Sequence, residues 1–209
     1  MKTTKSASKK DLRLPSVQGV NEVVLGCIKE GGVGVFPTDT IYGIVGSAFQ
    51  KKAVQRIYRL KRRERKKPFI ILISSVSEIR RFGIHLSAKK ERFLRSLWPA
   101  KVSVRITCPA RKFRYLHRGL SSLVFRLPPK KMLREILKKT GPLVAPSANV
   151  SGMPPAKNVW EARRYFGSSV DFYVDGGTIV GKPSTVIGFG VGGAIIVLRK
   201  GAGRIPQMI

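Results

Sequence analysis

The sequence is poor in the residues that usually carry redox, metal and acid–base chemistry. It holds two cysteines and two histidines in 209 residues, and 11 acidic residues against 41 basic ones. Cys27 and Cys108 lie far apart in apolar surroundings, which predicts free buried thiols in a reducing cytoplasm rather than a disulfide. His85 and His117 have no Cys, His or carboxylate partner at ligand spacing, so both read as surface or structural residues and no metal site is expected. No apolar run approaches the roughly 18 residues of a membrane helix, so no span is expected. Met1 to Lys10 is rich in Lys, Ser and Thr and lacks the apolar core of a signal peptide. There is also no Walker A motif, so a bound nucleotide has to be held without a P-loop lysine.

What the chain does have is positive charge, +30 in all, placed unevenly. Between Lys51 and Lys139 basic residues recur throughout, opposed by Glu64, Glu78, Glu91 and Glu135 alone. From Thr140 onward seven Lys and Arg face three acids. Such asymmetry predicts a strong positive field on one side of the molecule, and counterion release then favours contact with RNA or DNA. Charge by itself names no function.

Residues 1–11 are expected to form a disordered basic tail, and 12–209 a single domain with its own core. Val17, Val20, Val24, Cys27 and Ile28 recur at helical spacing, predicting a helix over Ser16–Glu30 stopped by Gly31-Gly32. Val33–Phe36 and Ile41–Ala48 read as extended, and Lys51–Arg62 as an amphipathic helix. Phe69–Ile73 reads as a strand buried on both faces. Helices follow near 76–82 and 88–98, and Val102, Val104 and Ile106 alternate with polar residues as in a half-exposed strand. Further strands at 123–127, 143–145, 172–174, 184–189 and 194–198 are interleaved with helices near 129–139 and 159–166. This order predicts a twisted mixed α/β sheet with helices against it.

Several motifs stand at the ends of these elements. Pro37-Thr38-Asp39-Thr40-Ile41-Tyr42-Gly43 is a polar turn leaving a strand, followed by the cation cluster Lys61, Arg62, Arg63, Lys66 and Lys67. Arg forks and Lys point charges neutralise a triphosphate, although such clusters are more often a solvated helix end. Pro146-Ser147-Ala148-Asn149-Val150-Ser151-Gly152 follows the apolar Leu143-Val144-Ala145, so Ser147 and Asn149 should emerge at a strand end, where open sheets bind ligands. Gly188 to Gly193 matches a dinucleotide fingerprint in letters, yet it precedes a strand and opens no helix, so it reads as a hairpin turn.

Taken in order, these residues resemble the YrdC-like family of threonylcarbamoyl-adenylate synthases. The resemblance rests on Pro37 to Gly43, Lys61-x-Arg63, Arg126-Leu127-Pro128 and Ser147-x-Asn149. Asp175-Gly176-Gly177, Pro183-Ser184-Thr185-Val186 and Leu198-Arg199-Lys200-Gly201 complete it. It implies a twisted open mixed sheet with flanking helices and a basic concave face. It also implies a cytoplasmic nucleotidyltransferase that joins L-threonine, bicarbonate and ATP into threonylcarbamoyl-AMP and pyrophosphate, for tRNA N6-threonylcarbamoyladenosine. Lys61, Arg63 and Lys67 would then hold the triphosphate, with Mg²⁺ bridging its oxygens. Ser147 and Asn149 would orient nucleotide or carbamate, with Ser122 and Arg199 as further ATP contacts. Thr40, Arg126 and Ser184 would hold threonine. A separate threonylcarbamoyl-transferase protein and tRNA on the basic face are the implied partners.

The chain departs from the family pattern at four places. Arg62 replaces a glycine inside the basic motif, and the apolar run around Leu72 stands where a histidine contact to threonine is common. Trp98-Pro99-Ala100-Lys101-Val102-Ser103 varies a Trp-Pro-Gly-Pro stretch, and Gly188 stands near a usual acid. The sequence ends at Ile209, so the extra C-terminal domain of longer members is not expected. Two other readings compete. One is a non-catalytic RNA- or ribosome-binding protein of this fold. The other is the carbamoyl-adenylate chemistry of hydrogenase maturation, which belongs to chains with zinc-finger and acylphosphatase modules.

Overall fold

Alternating apolar residues build the centre of this molecule. A computed structural model describes residues 12–13, 22–64 and 67–205. In chain order they form β1 (Leu12–Arg13), α1 (Glu22–Lys29), β2 (Gly34–Pro37), β3 (Tyr42–Ser47), α2 (Lys51–Leu60) and β4 (Ile70–Leu72). Then come α3 (Ala88–Leu97), β5 (Val102–Thr107), α4 (Arg114–His117), β6 (Ser122–Arg126), α5 (Lys131–Thr140) and β7 (Leu143–Val144). The last are α6 (Val159–Phe166), β8 (Phe172–Asp175), β9 (Thr185–Phe189) and β10 (Ile195–Arg199).

The strands make one mixed sheet in the order β1-β8-β2-β3-β7-β4-β6-β5-β9-β10. β4 lies at its centre, parallel to β6 and antiparallel to β7, as the apolar run Phe69–Ile73 predicts. The Gly188–Gly193 segment is indeed a hairpin connection, joining the antiparallel β9 and β10. The predicted tail falls outside the described residues, as does the predicted first half of the first helix, whose described part begins at Glu22. Val76–Phe82 is a 3₁₀ helix rather than an α-helix.

Side-chain parity divides the sheet into two faces. Val35, Ile44, Ile71, Val104, Phe125 and Ile187 point into a large apolar cluster that includes residues of α2, α3, α4 and α6. On the other face α1 and α5 cover Phe36, Val45, Leu72, Leu143, Phe172 and Val174, residues of β2, β3, β4, β7 and β8. That second cluster takes nothing from β6, β5 or β9. Val124 and Arg126 of β6, and Ser184 and Val186 at the start of β9, are thus left lining a cleft.

Candidate active site

The cleft holds about 180 Å³ and draws its walls from distant parts of the chain. Six residues expected from the sequence line it together: Thr40, Arg63, Arg126, Ser147, Ser184 and Arg199. Lys61, Lys67, Asn149 and Ser122 do not.

The Thr38–Ile41 turn shapes one wall. Thr38 Oγ1 donates to the Ile41 carbonyl at 2.6 Å and accepts from the backbone amides of Thr40 and Ile41 at 3.2 and 3.3 Å. Pinned in this way, Thr40 presents its hydroxyl to Arg126 Nη1 at 3.2 Å. A Cβ on Gly181 would overlap the Thr40 carbonyl, so only glycine lets the segment before Ser184 pass this close. Tyr42 fastens the same segment, its hydroxyl accepting from Gly176 N and donating to Gly177 O, both at 2.8 Å.

Arg126 is buried, and its charge is met by a buried acid: Asp39 lies 3.1 Å from Nη2 and 3.3 Å from Nη1. Burial lowers the Arg126 pKa, Asp39 pulls it back up, and Arg199 lowers it further. Its Nε is buried without a partner. Leu72, in register with Arg126 on the neighbouring strand, is fully buried in the apolar cluster and brings no polar group there.

Arg63 and Arg199 complete the cation set. Arg63 Nε donates to the Lys67 carbonyl at 3.1 Å, and its guanidinium lies 5.6 Å from the centroid of Phe69. Phe69 stacks on Tyr58 at 4.0 Å, and Arg118 covers Tyr58 at 4.6 Å, so two guanidiniums flank two stacked rings. Arg199 Nη2 donates to the Ser184 carbonyl at 2.7 Å. Burial and then Arg63 lower the Arg199 pKa, and burial also lowers that of Arg63. Three guanidiniums near one carboxylate favour an anionic ligand.

The remaining expected residues lie elsewhere. Lys67 is exposed, its ammonium pairs with Glu64 at 2.7 Å, and it does not line the cleft. Ser122 precedes Arg126 by four residues on the same face of β6, about 13 Å along the strand. It lines a second cavity with Arg105, Thr107 and Phe189. Lys61 is fully buried, and its ammonium donates to Ser147 O, Asn149 O and Asn149 Oδ1 at 2.5, 2.7 and 3.1 Å.

Sequence reasoning missed Asp39 as a site residue, together with Thr38 and Ser103. Ser103 is fully buried although it occupies a polar position of the alternating strand β5, and its Oγ lies 2.8 Å from Ser184 Oγ. Asp39 had one usable signal, an acid between two threonines in an otherwise acid-poor region.

Comparison with known proteins identifies the family. Residues 26–201 match the Sua5/YciO/YrdC family model, described as "Telomere recombination". The threonylcarbamoyl-AMP synthase of Pyrococcus abyssi is 29% identical over 167 residues, 79% of this chain and 49% of the relative, so the chain spans about half that protein's length. The threonylcarbamoyl-AMP synthase of Marinobacter nauticus is 33% identical over 162 residues, covering 75% of this chain and 84% of the relative. Among solved structures, P. abyssi Sua5 complexed with L-threonine aligns with a TM-score of 0.78 at 27% identity, over 91% of this chain and 56% of that one. A family model that runs through every wall of the cleft, and a relative one third identical over three quarters of the chain, place this protein in the Sua5/YciO/YrdC family.

Proposed function

We propose that this protein is an L-threonylcarbamoyladenylate synthase. The observation that carries the reading is the single cleft in which Thr40, Arg126 and Ser184 face Arg63 and Arg199. Relatives named threonylcarbamoyl-AMP synthase support it and favour it over a non-catalytic RNA-binding role.

In this reaction the threonine amine and bicarbonate condense to a carbamate with loss of water. A carbamate oxygen then attacks the α-phosphorus of ATP, and pyrophosphate leaves. Both partners are anionic, so the work is positioning and charge neutralisation. Arg126, with Thr40 and Ser184 lining the same cleft, takes the threonine carboxylate. Arg63 and Arg199 stand ready for phosphate oxygens, their N–H directions fixed by the Lys67 and Ser184 carbonyls.

Among the described residues no group of three His, Cys, Asp or Glu could hold a metal ion, and the cleft's acid is already paired with Arg126. Mg²⁺ would therefore be carried by the triphosphate rather than by side chains of the cleft, and would supply charge neutralisation there. The remaining surface cations provide a face for tRNA, and a separate transferase passes the threonylcarbamoyl group on. Residues 12–209 act as one domain, in the cytoplasm.

Incubation with ATP, Mg²⁺, L-threonine and labelled bicarbonate should yield labelled threonylcarbamoyl-AMP and pyrophosphate. No labelled product, beside a synthase that is active in the same mixture, would overturn the reading.

A further inference from the structure

The Lys61-x-Arg63 motif invites a reading in which both cations clamp phosphate, but the two side chains leave the end of α2 in different directions. Val54, Ile57 and Tyr58 form the buried stripe of that helix. Lys61 falls seven residues after Val54, on the same stripe, and therefore points inward. Arg63 leaves the helix end and lines the cleft, whereas Lys61 is 1% exposed and does not.

An ammonium has three N–H groups, and Lys61 has three acceptors for them: the carbonyls of Ser147 and Asn149 and the amide oxygen of Asn149. No donor remains for a ligand. Asn149 is equally committed, since its Nδ2 donates to Val150 O at 3.0 Å and Met153 O at 2.5 Å. Its Oδ1 accepts from Lys61 and, at 2.6 Å, from the hydroxyl of Ser147. Two donors on one side of the amide and two carbonyls on the other fix its orientation. Backbone bonds reinforce the arrangement: Ser151 N donates to Lys61 O, and Ala148 N to Tyr42 O, both at 2.8 Å.

We infer that Lys61 is a positioning residue, which holds the Ser147–Asn149 segment in place and makes no contact with the bound nucleotide. Its effect reaches the cleft through Ser147. Because the Ser147 proton is directed at Asn149 Oδ1, the lone pairs of Oγ are what the cleft meets. Ser147 therefore selects a hydrogen-bond donor, such as an ammonium or carbamate N–H or a hydroxyl, and is mismatched to an ionised phosphate oxygen. Burial and the neighbouring Arg63 push the Lys61 pKa down to about 7, so this position carries a cost that three oxygen acceptors oppose.

The inference rests on the synthase reading for its ligands, and the test separates the two. Lys61→Met, Ser147→Ala and the double variant are compared in turnover, with ATP binding followed by calorimetry. The misplaced segment should lower kcat/KM by about a hundredfold in each single variant. The double variant should match the worse single variant within about twofold, since both changes disable one relay. ATP affinity of Lys61→Met should also stay within about twofold. Multiplied losses in the double variant, or ATP affinity falling about tenfold, would overturn the inference.

A second measurement holds even where Lys61→Met does not fold. In the wild-type protein labelled with ¹⁵N-lysine, at a pH below 7, the Lys61 ammonium protons should be protected from exchange without ligand and unmoved by saturating ATP. Fast exchange in the free protein, or a shift with ATP, would overturn the positioning role. A wild type that binds ATP but makes no product would sink the synthase reading and leave these arms standing.

Discussion

The cations around the cleft, of which Lys61 and Arg126 are buried, and the exposed cations of the surface share a chemistry and differ in what surrounds them. Lys67, Arg95 and Lys138 each pair with a glutamate three or four residues away on the same stretch of chain, with more than half of the side chain in solvent. Such pairs are worth about 0–1 kcal/mol and weaken in salt. Lys61, Arg63, Arg126 and Arg199 instead meet carbonyls, a ring face and one buried acid, those of Lys61 and Arg126 contributed from across the fold. The first group supplies field and solubility, and the second supplies direction.

The sharpest way to break this contrast is to remove a buried partner. Arg126→Ala leaves Asp39 buried and unpaired, which should lower unfolding free energy by about 3–5 kcal/mol in a denaturant titration and abolish threonine binding in calorimetry. Next, Arg63→Ala should reduce ATP affinity and turnover together, by about 2–4 kcal/mol, while Lys67→Ala, four residues on, should change either by less than about 1 kcal/mol. Equal losses in the two variants would erase the distinction.

A graded effect should follow from Lys61. Its folded-state pKa, about 7, lies below its ordinary value of 10.5. Between these values the unfolded chain binds a proton that the folded protein does not. Raising the pH across that window should therefore stabilise the wild type relative to Lys61→Met, measured by chemical denaturation at several pH values. The smallest effect belongs to Arg62, which is exposed and sits at φ 48° in the left-handed region. That conformation favours glycine, and Arg62→Gly should raise stability by about 1 kcal/mol in a thermal melt.

These residues also mark how far the sequence could be read. The central strand, the α2 stripe and the hairpin at Gly188–Gly193 were legible because each depends on local periodicity. The burial of Lys61 was harder to read, because its charge suggests a ligand-facing cation, although the spacing from Val54, Ile57 and Tyr58 points it inward. Ser103 looked exposed by alternation, since the face it shares with Ser184 is filled by a segment more than 80 residues later, which no local pattern reveals. Ser122 and Lys67 were placed with the cleft by motif order, and motif order carries no distance. The pairing of Asp39 with Arg126 spans 87 residues and has no local signature.

Lys61 grips the Ser147–Ser151 segment at both ends of itself, with its ammonium on Ser147 and Asn149 and its carbonyl on the Ser151 amide. A loop held to a helix end in this way cannot loosen by itself. It should open only when the last turn of α2 opens, so its lifetime is set by the helix rather than by its own irregular backbone. In native-state hydrogen exchange, the Ser151 amide should therefore exchange at the rate of the α2 C-terminal amides, and in Lys61→Met it should exchange faster than they do.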